Sequence, residues 1–410
     1  MKVWVKLLIS SAVGLLLGIF LPFFGKEVPA VLIQVGDFIL SLGRYALFPL
    51  IFFSTAMAVD ELRREKRLWR LVVRSVIYMM IISLALVLLG ALLILLFNPE
   101  AIPLASRHES ALIFKSWNET LIKLVPKNAF EILTGGSDFL LPIYALSFFL
   151  GLHFHFDRTI TQPTVSLFNS LSRIFYHMNT FLVEILSWGI LILSAAWLTQ
   201  LRLVQNIQLY TQVFVVLTLA TAVTILGIIP LILYFFGGKI NPYKWIFAML
   251  SAGIAGFFSG DSFFSLSFVT RMTHENLGVP RKAGGMNLPL FAMFGRAGTA
   301  MTSTIAFFVI LKSYTTYEIT IDQIVWTVAF AFLLSFALPS VPSLGAYINL
   351  SLLCSSYGKA LDTGYINLQP ILPVLVSFAA LVDVYTAGLT SFLVAKHEGM
   401  VRDVSPTAYQ

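Results

Sequence analysis

Apolar residues run through this chain in long stretches divided by short polar loops. Six of these stretches predict uninterrupted helical spans, at about 5–24, 31–57, 71–97, 137–154, 178–199 and 210–236. Such lengths suit a hydrocarbon core about 30 Å thick, which takes roughly 20 apolar residues to cross as a helix. The pattern then changes, because every later stretch is interrupted. About 245–271 breaks at Ser259-Gly260-Asp261-Ser262, about 284–312 at Gly295-Arg296, and about 323–357 along the run from Pro339 to Gly345. The last, about 368–395, carries Pro370 and Pro373 early and Asp383 midway. Helix breakers at membrane depth are tolerated only where protein or an aqueous cavity satisfies the freed backbone groups. The interrupted stretches are therefore where the chain is expected to bind something.

The basic residues decide which stretches cross. Lys2 and Lys6 precede the first span, and Arg63, Arg64, Lys66, Arg67 and Arg70 lie between the second and third. Lys239 and Lys244 follow the sixth; Arg271, Arg281 and Lys282 divide the first two broken stretches; Lys396 and Arg402 follow the last. All fall on one side if 245–271 and 323–357 are hairpins that enter and return on the same face, as the positive-inside rule requires. The two hairpin-plus-helix units then start from opposite faces as an inverted repeat, an arrangement that sets substrate sites near the midplane. Both termini are expected in the cytoplasm.

Composition agrees and removes other classes. The chain is 58% hydrophobic and 11% charged, with mean hydropathy +0.86, whereas a soluble domain carries about 25% charge. The net charge of +7 is the positive-inside bias, since no clustered basic face of the kind nucleic acid needs is present. The single cysteine, Cys354, excludes an internal disulfide framework and cysteine-based zinc sites. No nucleophile–base constellation or phosphate loop is recognisable, so neither an enzyme nor a cofactor is expected. The apolar N-terminus lacks a small-residue cleavage site and reads as a retained first helix.

Several local strings resemble the dicarboxylate/amino acid:cation symporters, the glutamate transporter family. They are Leu96-Phe97-Asn98-Pro99, Val125-Pro126-Lys127-Asn128-Ala129-Phe130, Pro289-Leu290 leading to Gly298-Thr299, Val341-Pro342-Ser343-Leu344-Gly345-Ala346, and Val394-Ala395-Lys396. Their order and spacing cover nearly the whole chain. The resemblance implies an all-α polytopic membrane protein with eight transmembrane helices and two re-entrant helical hairpins, in an elevator fold. It implies a homotrimer among membrane lipids of the inner (plasma) membrane. Residues 1–236 are then mainly scaffold and trimerisation helices, the third and sixth moving with the transport domain. Residues 237–400 form the core of that domain, and 401–410 a cytoplasmic tail.

The departures from the family pattern carry the functional argument. Where the resemblance puts sodium ligands, this chain has Gly295 and Ala297 on the seventh helix, Met79 and Ile82 beside a retained Ser83 on the third, and Ala387 on the last. Where it puts substrate-holding arginine, aspartate and asparagine, this chain has Ala379, Val376 and Asp383. Hard cations need several oxygen ligands, so the usual sodium coupling is expected to be largely or wholly lost, and protons are preferred to sodium if transport is energised at all. Candidate substrate- or ion-binding residues are Ser259, Gly260, Asp261, Ser262, Arg296, Thr299, Ser343, Gly345 and Asp383. No metal site is expected.

Arg296 inside an apolar helix is costly, roughly 2.5–3.5 kcal/mol on insertion scales. Three readings of it stand side by side. It forms a fixed ion pair with Asp383, tying the seventh helix to the eighth in place of sodium; or it meets a substrate anion while Asp383 or Asp261 takes a proton; or it faces lipid or solvent. The hairpin tips offer backbone amides and short hydroxyls that suit a ligand. The expected function is secondary transport of a small amino acid or organic acid. The alternatives are an uncoupled facilitator and a non-transporting membrane receptor that retains the fold.

Overall fold

The computed structural model describes residues 1–20, 28–97, 102, 140–238, 240–314, 319–336, 343–358, 361–405 and 409. The Val125–Phe130 string, Asn98-Pro99 and the hairpin residues 337–342 lie outside these. Among the described residues the chain is helical, and no strand occurs. Among the described residues, seven helical segments are long and apolar enough to cross a membrane: Val3–Phe20, Val28–Arg64, Leu68–Phe97, Thr159–Arg202, Ile207–Phe236, Arg281–Tyr314 and Gly364–His397. The fourth expected span, 137–154, appears as the shorter helix Leu140–His153, whose start abuts residues outside the described set.

We number the helices α1 Val3–Phe20, α2 Val28–Tyr45, α3 Leu47–Arg64, α4 Leu68–Phe97, α5 Leu140–His153 and α6 Arg158–Arg202. The sixth apolar run gives α7 Thr211–Ala222 and α8 Ile229–Phe236. Then follow α9 Pro242–Ala248, α10 Leu250–Ser259, α11 Ser262–Glu275, α12 Arg281–Phe294, α13 Ala297–Tyr314, α14 Ile321–Ser335, α15 Gly345–Tyr357 and α16 Leu372–His397. Proline explains two irregularities. Pro49 has no N–H to return to Tyr45, and the second span bends at Ala46 between α2 and α3. Pro230 follows a wider π turn, Val223–Ile228, which links α7 to α8. The run expected at 178–199 is the apolar half of α6, whose 45 residues extend about 68 Å at 1.5 Å per residue. Its first half is more polar and escapes a hydrophobicity search.

Two interrupted stretches fold as helical hairpins. α10 and α11 pack on each other, as do α14 and α15. α16 touches α10, α11, α12, α13 and α15, and so occupies the middle of the later half of the chain. Burial follows this layout. In the most apolar membrane-length window, 94% of Arg281–Tyr314 is buried against 33% of Val3–Phe20. α1 and α6 pack lengthwise, with α2 and α3 also on α6, and they expose Leu16, Phe20, Ile174 and Phe181. An all-apolar exterior is what a helix facing lipid tails requires.

The first hairpin is fixed to the outer helices by polar contacts. Ser267 Oγ donates to the Gly43 carbonyl at 3.2 Å, and Asn179 Nδ2 donates to the Ser267 carbonyl at 3.1 Å. Arg271 pairs with Glu184 of α6 at 2.8 Å, and Glu184 also pairs with Lys6 of α1. Lys282 at the start of α12 pairs with Glu65 just beyond α3.

Candidate functional site

The two hairpin tips meet at one backbone bridge, between Asp261 and Ser343. The first tip is built by local chemistry. α10 ends at Gly260, whose φ of 58° is the left-handed conformation that glycine adopts freely. Asp261 then begins α11 as its N-cap. Its Oδ1 accepts from the Phe263 and Phe264 amides at 2.8 and 2.7 Å. Its Oδ2 pairs with Arg44, at the end of α2. The Asp261 carboxylate, fully buried, is thus held by two amides and a guanidinium. At the second tip α15 starts after Leu344, whose φ of 62° is rare for a bulky residue.

The break between α12 and α13 is capped from α16. Asp383 Oδ1 accepts from the Gly298 and Thr299 amides at 2.6 and 3.1 Å, and its Oδ2 accepts from the Thr299 hydroxyl at 2.7 Å. A carboxylate at a helix N-terminus satisfies orphan amides and faces the positive end of the dipole. Gly298 makes this approach possible. A Cβ there would lie 2.6 Å from Val382 Cβ and 2.8 Å from the Asp383 nitrogen.

Arg296 sits in the break itself and is 1% exposed. Its Nε donates to the Ala292 carbonyl at 3.2 Å. One Nη lies 2.7 Å from where a side chain at position 345 would begin, so the guanidinium passes beneath the start of α15. Three helix N-termini, those of α11, α13 and α15, therefore surround one region. Asp261 caps the first and Asp383 the second, while α15 has no side-chain cap and runs beside Arg296.

The sequence candidates separate into two groups. Ser262, Arg296 and Asp383 line a small void of about 20 Å³ with Phe291 and Ala387, room for about one water. Ser259, Gly260 and Ser343 line a cavity of about 220 Å³ on another side of the tips, with α2, α6 and the start of α16. Thr299 is bonded to Asp383 and Gly345 abuts Arg296, which links both to the first group. Asp383 ties α16 to α13 by capping, and it shares the wall of the small void with Arg296. Arg44 and Asp37 were not among the sequence candidates, although both are charges inside the apolar run 31–57, the same signal that marks Arg296.

Two of the positions where the resemblance puts sodium ligands, Met79 of α4 and Ala387 of α16, meet Phe291 of α12 in one buried apolar cluster, with Leu290, Phe294 and Phe336 packed against it. The retained Ser83 is buried nearby on α4, and its hydroxyl has no hydrogen-bond partner among the described residues.

Long apolar helices, two hairpins meeting tip to tip, and charged residues at broken helices define a polytopic membrane transporter. The model of the sodium:dicarboxylate symporter family matches residues 3–397, and the chain belongs to that family. It is 24% identical over 330 residues to a "Proton/sodium-glutamate symport protein" of Bacillus subtilis (strain 168), spanning 77% of this chain and 74% of that one. A protein of the same name from Geobacillus stearothermophilus is 26% identical over 218 residues, about half of each chain (50% and 51%). A "C4-dicarboxylate transport protein" of Bordetella avium (strain 197N) is 21% identical over 179 residues, 41% of this chain and 39% of that one.

Proposed function

We propose that this protein moves a small organic solute, of the amino acid or organic acid class, by an elevator mechanism without classical sodium coupling. The observation that carries the reading is the apolar cluster of Met79, Phe291 and Ala387. A sodium ion needs several oxygens, and these side chains supply none. Arg296 is a permanent cation in the adjacent helix break. It stands beside the N-terminus of α15, and both attract a substrate carboxylate. In this reading residues 237–400 form the core of the moving domain. The six spans within residues 1–236 form the scaffold of a homotrimer in the inner (plasma) membrane, apart from the third (α4) and the sixth (α7 and α8), which travel with that domain. Both termini are cytoplasmic. Family likeness supports the trimer and the elevator, and the basic-residue pattern supports the orientation.

Asp383 is tied to the start of α13 by two amides and a hydroxyl, and Asp261 is tied to its own helix start and to Arg44. Two carboxylates held this way as structural caps favour an uncoupled facilitator. Proton coupling is the second reading, favoured by the Arg44–Asp261 pair. A hairpin that leaves α2 strips Asp261 of its cation, and a buried carboxylate without one is costly.

The test is uptake into proteoliposomes. Solute exchange that persists when choline replaces sodium supports the proposal, whereas accumulation driven by a sodium gradient overturns it. Accumulation driven by a pH gradient selects proton coupling, and counterflow alone selects the facilitator. Ligand binding without any exchange selects the receptor.

A further inference from the structure

The 220 Å³ cavity beside the joined tips has a lining that differs from the Arg296 region. Among the described residues that line it, Asp37 is the only charge. Asp37 belongs to the span Val28–Arg64, and at 1.5 Å per residue it lies roughly 14 Å along the helix from Val28. It has no ion-pair partner among the described residues. Asp37 is exposed, so its carboxylate is accessible to a ligand entering the cavity. Arg44 lies seven residues on, two turns along the same face, and it is already engaged with Asp261. Asp37 therefore presents an uncompensated negative charge to the cavity.

The other lining groups limit what that charge receives. Trp197 and Phe258 meet edge to face with ring centroids 6.1 Å apart. Aromatic faces of this kind attract organic cations. The Trp197 indole N–H is buried and has no hydrogen-bond partner among the described residues, a donor left over for a ligand acceptor. Ser259, Ser343, Ser377 and Gln200 add short polar groups to an otherwise apolar wall. The volume is below the roughly 300–1,000 Å³ of drug-sized pockets and suits one solute of amino-acid size.

We propose that this cavity is a binding site for an organic ammonium ion with an apolar body, Asp37 pairing with the ammonium and Trp197 donating to its acceptor. An amino acid with an apolar side chain has both groups, and a dicarboxylate would be repelled by Asp37. As a statement about cargo this rests on the transporter reading; as a binding site it does not.

Calorimetric titration of the full chain in detergent tests it with phenethylamine, phenylalanine and succinate. Phenethylamine and phenylalanine are expected to bind saturably, and Asp37→Asn to weaken both tenfold or more while Asp37→Glu retains binding. Trp197→Phe is expected to weaken phenylalanine more than phenethylamine, which has no carboxylate to accept the indole proton. The proposal is overturned if neither amine binds the wild type, if Asp37→Asn binds them equally well, or if succinate binds in the cavity with Asp37 intact. Amine binding that depends on Asp37, without phenylalanine exchange in proteoliposomes, upholds the site and removes phenylalanine as cargo.

Discussion

At the scale of residues, two charges inside apolar helices do different work. Asp383 is structural glue between α16 and α13, since its oxygens take two amides and a hydroxyl. Replacing it by alanine leaves those donors buried and unpaired, at about 1–3 kcal/mol per group. Asp383→Ala is therefore expected to lower the thermal melting temperature clearly, and Asp383→Asn, which keeps one acceptor oxygen, to lower it less. Arg296 is expected to matter for ligand. Arg296→Met should weaken carboxylate solutes by about 1.5–3 kcal/mol, roughly ten- to more than a hundredfold, read as a lost ligand-induced rise in melting temperature. Solute binding that survives this change removes Arg296 from the mechanism. Both residues are conspicuous in the sequence as charges in apolar runs. Their partners are not, because Asp383 meets Gly298 and Thr299 across 84 to 85 positions of chain.

At the scale of elements, the hairpins are held by contacts that no single stretch encodes. The break at Ser259-Gly260-Asp261 is legible, because glycine favours the left-handed cap and aspartate the next N-cap. The docking of that tip on α2 through Arg44 is not, as it joins residues 217 positions apart. Arg44→Gln leaves the buried Asp261 carboxylate without a cation, a loss of about 3–5 kcal/mol for a buried pair. Faster amide hydrogen exchange is expected over residues 257–266 in that variant. The double variant Arg44→Gln/Asp261→Asn, which buries no charge, is expected to recover part of the protection. Unchanged exchange in Arg44→Gln would mean that the pair does not hold the tip. The long α6 teaches a related point: its polar first half is helical because α3 and the first hairpin pack against α6, an effect no local hydrophobicity reports.

At the scale of the whole molecule, three ion pairs among the described residues join the outer helices to the first hairpin and α12: Arg44–Asp261, Glu184–Arg271 and Lys282–Glu65. In the proposed elevator reading, a displacement has to exchange all three. The apolar filling at Met79, Phe291 and Ala387 leads to a further expectation. Replacing sodium by choline at constant ionic strength should leave the melting temperature of the purified protein unchanged, because a ligand stabilises only a state that binds it. A sodium-dependent rise would show an ion site built from other oxygens.

What the sequence determined by itself was the class: a helical membrane protein with two hairpins, set by run length, breaker residues and the one-sided basic loops. These are local properties, since a helix in lipid must satisfy its backbone within itself. It also marked Ser259 to Ser262, Arg296 and Asp383 as unusual. Only the tertiary structure decided what each of them touches. Asp261 turned to Arg44, Asp383 became a cap, and Asp37 was left facing a cavity beside Trp197. The reason is physical: a buried charge finds its partner across the fold, and that pairing depends on how helices distant in the chain pack together.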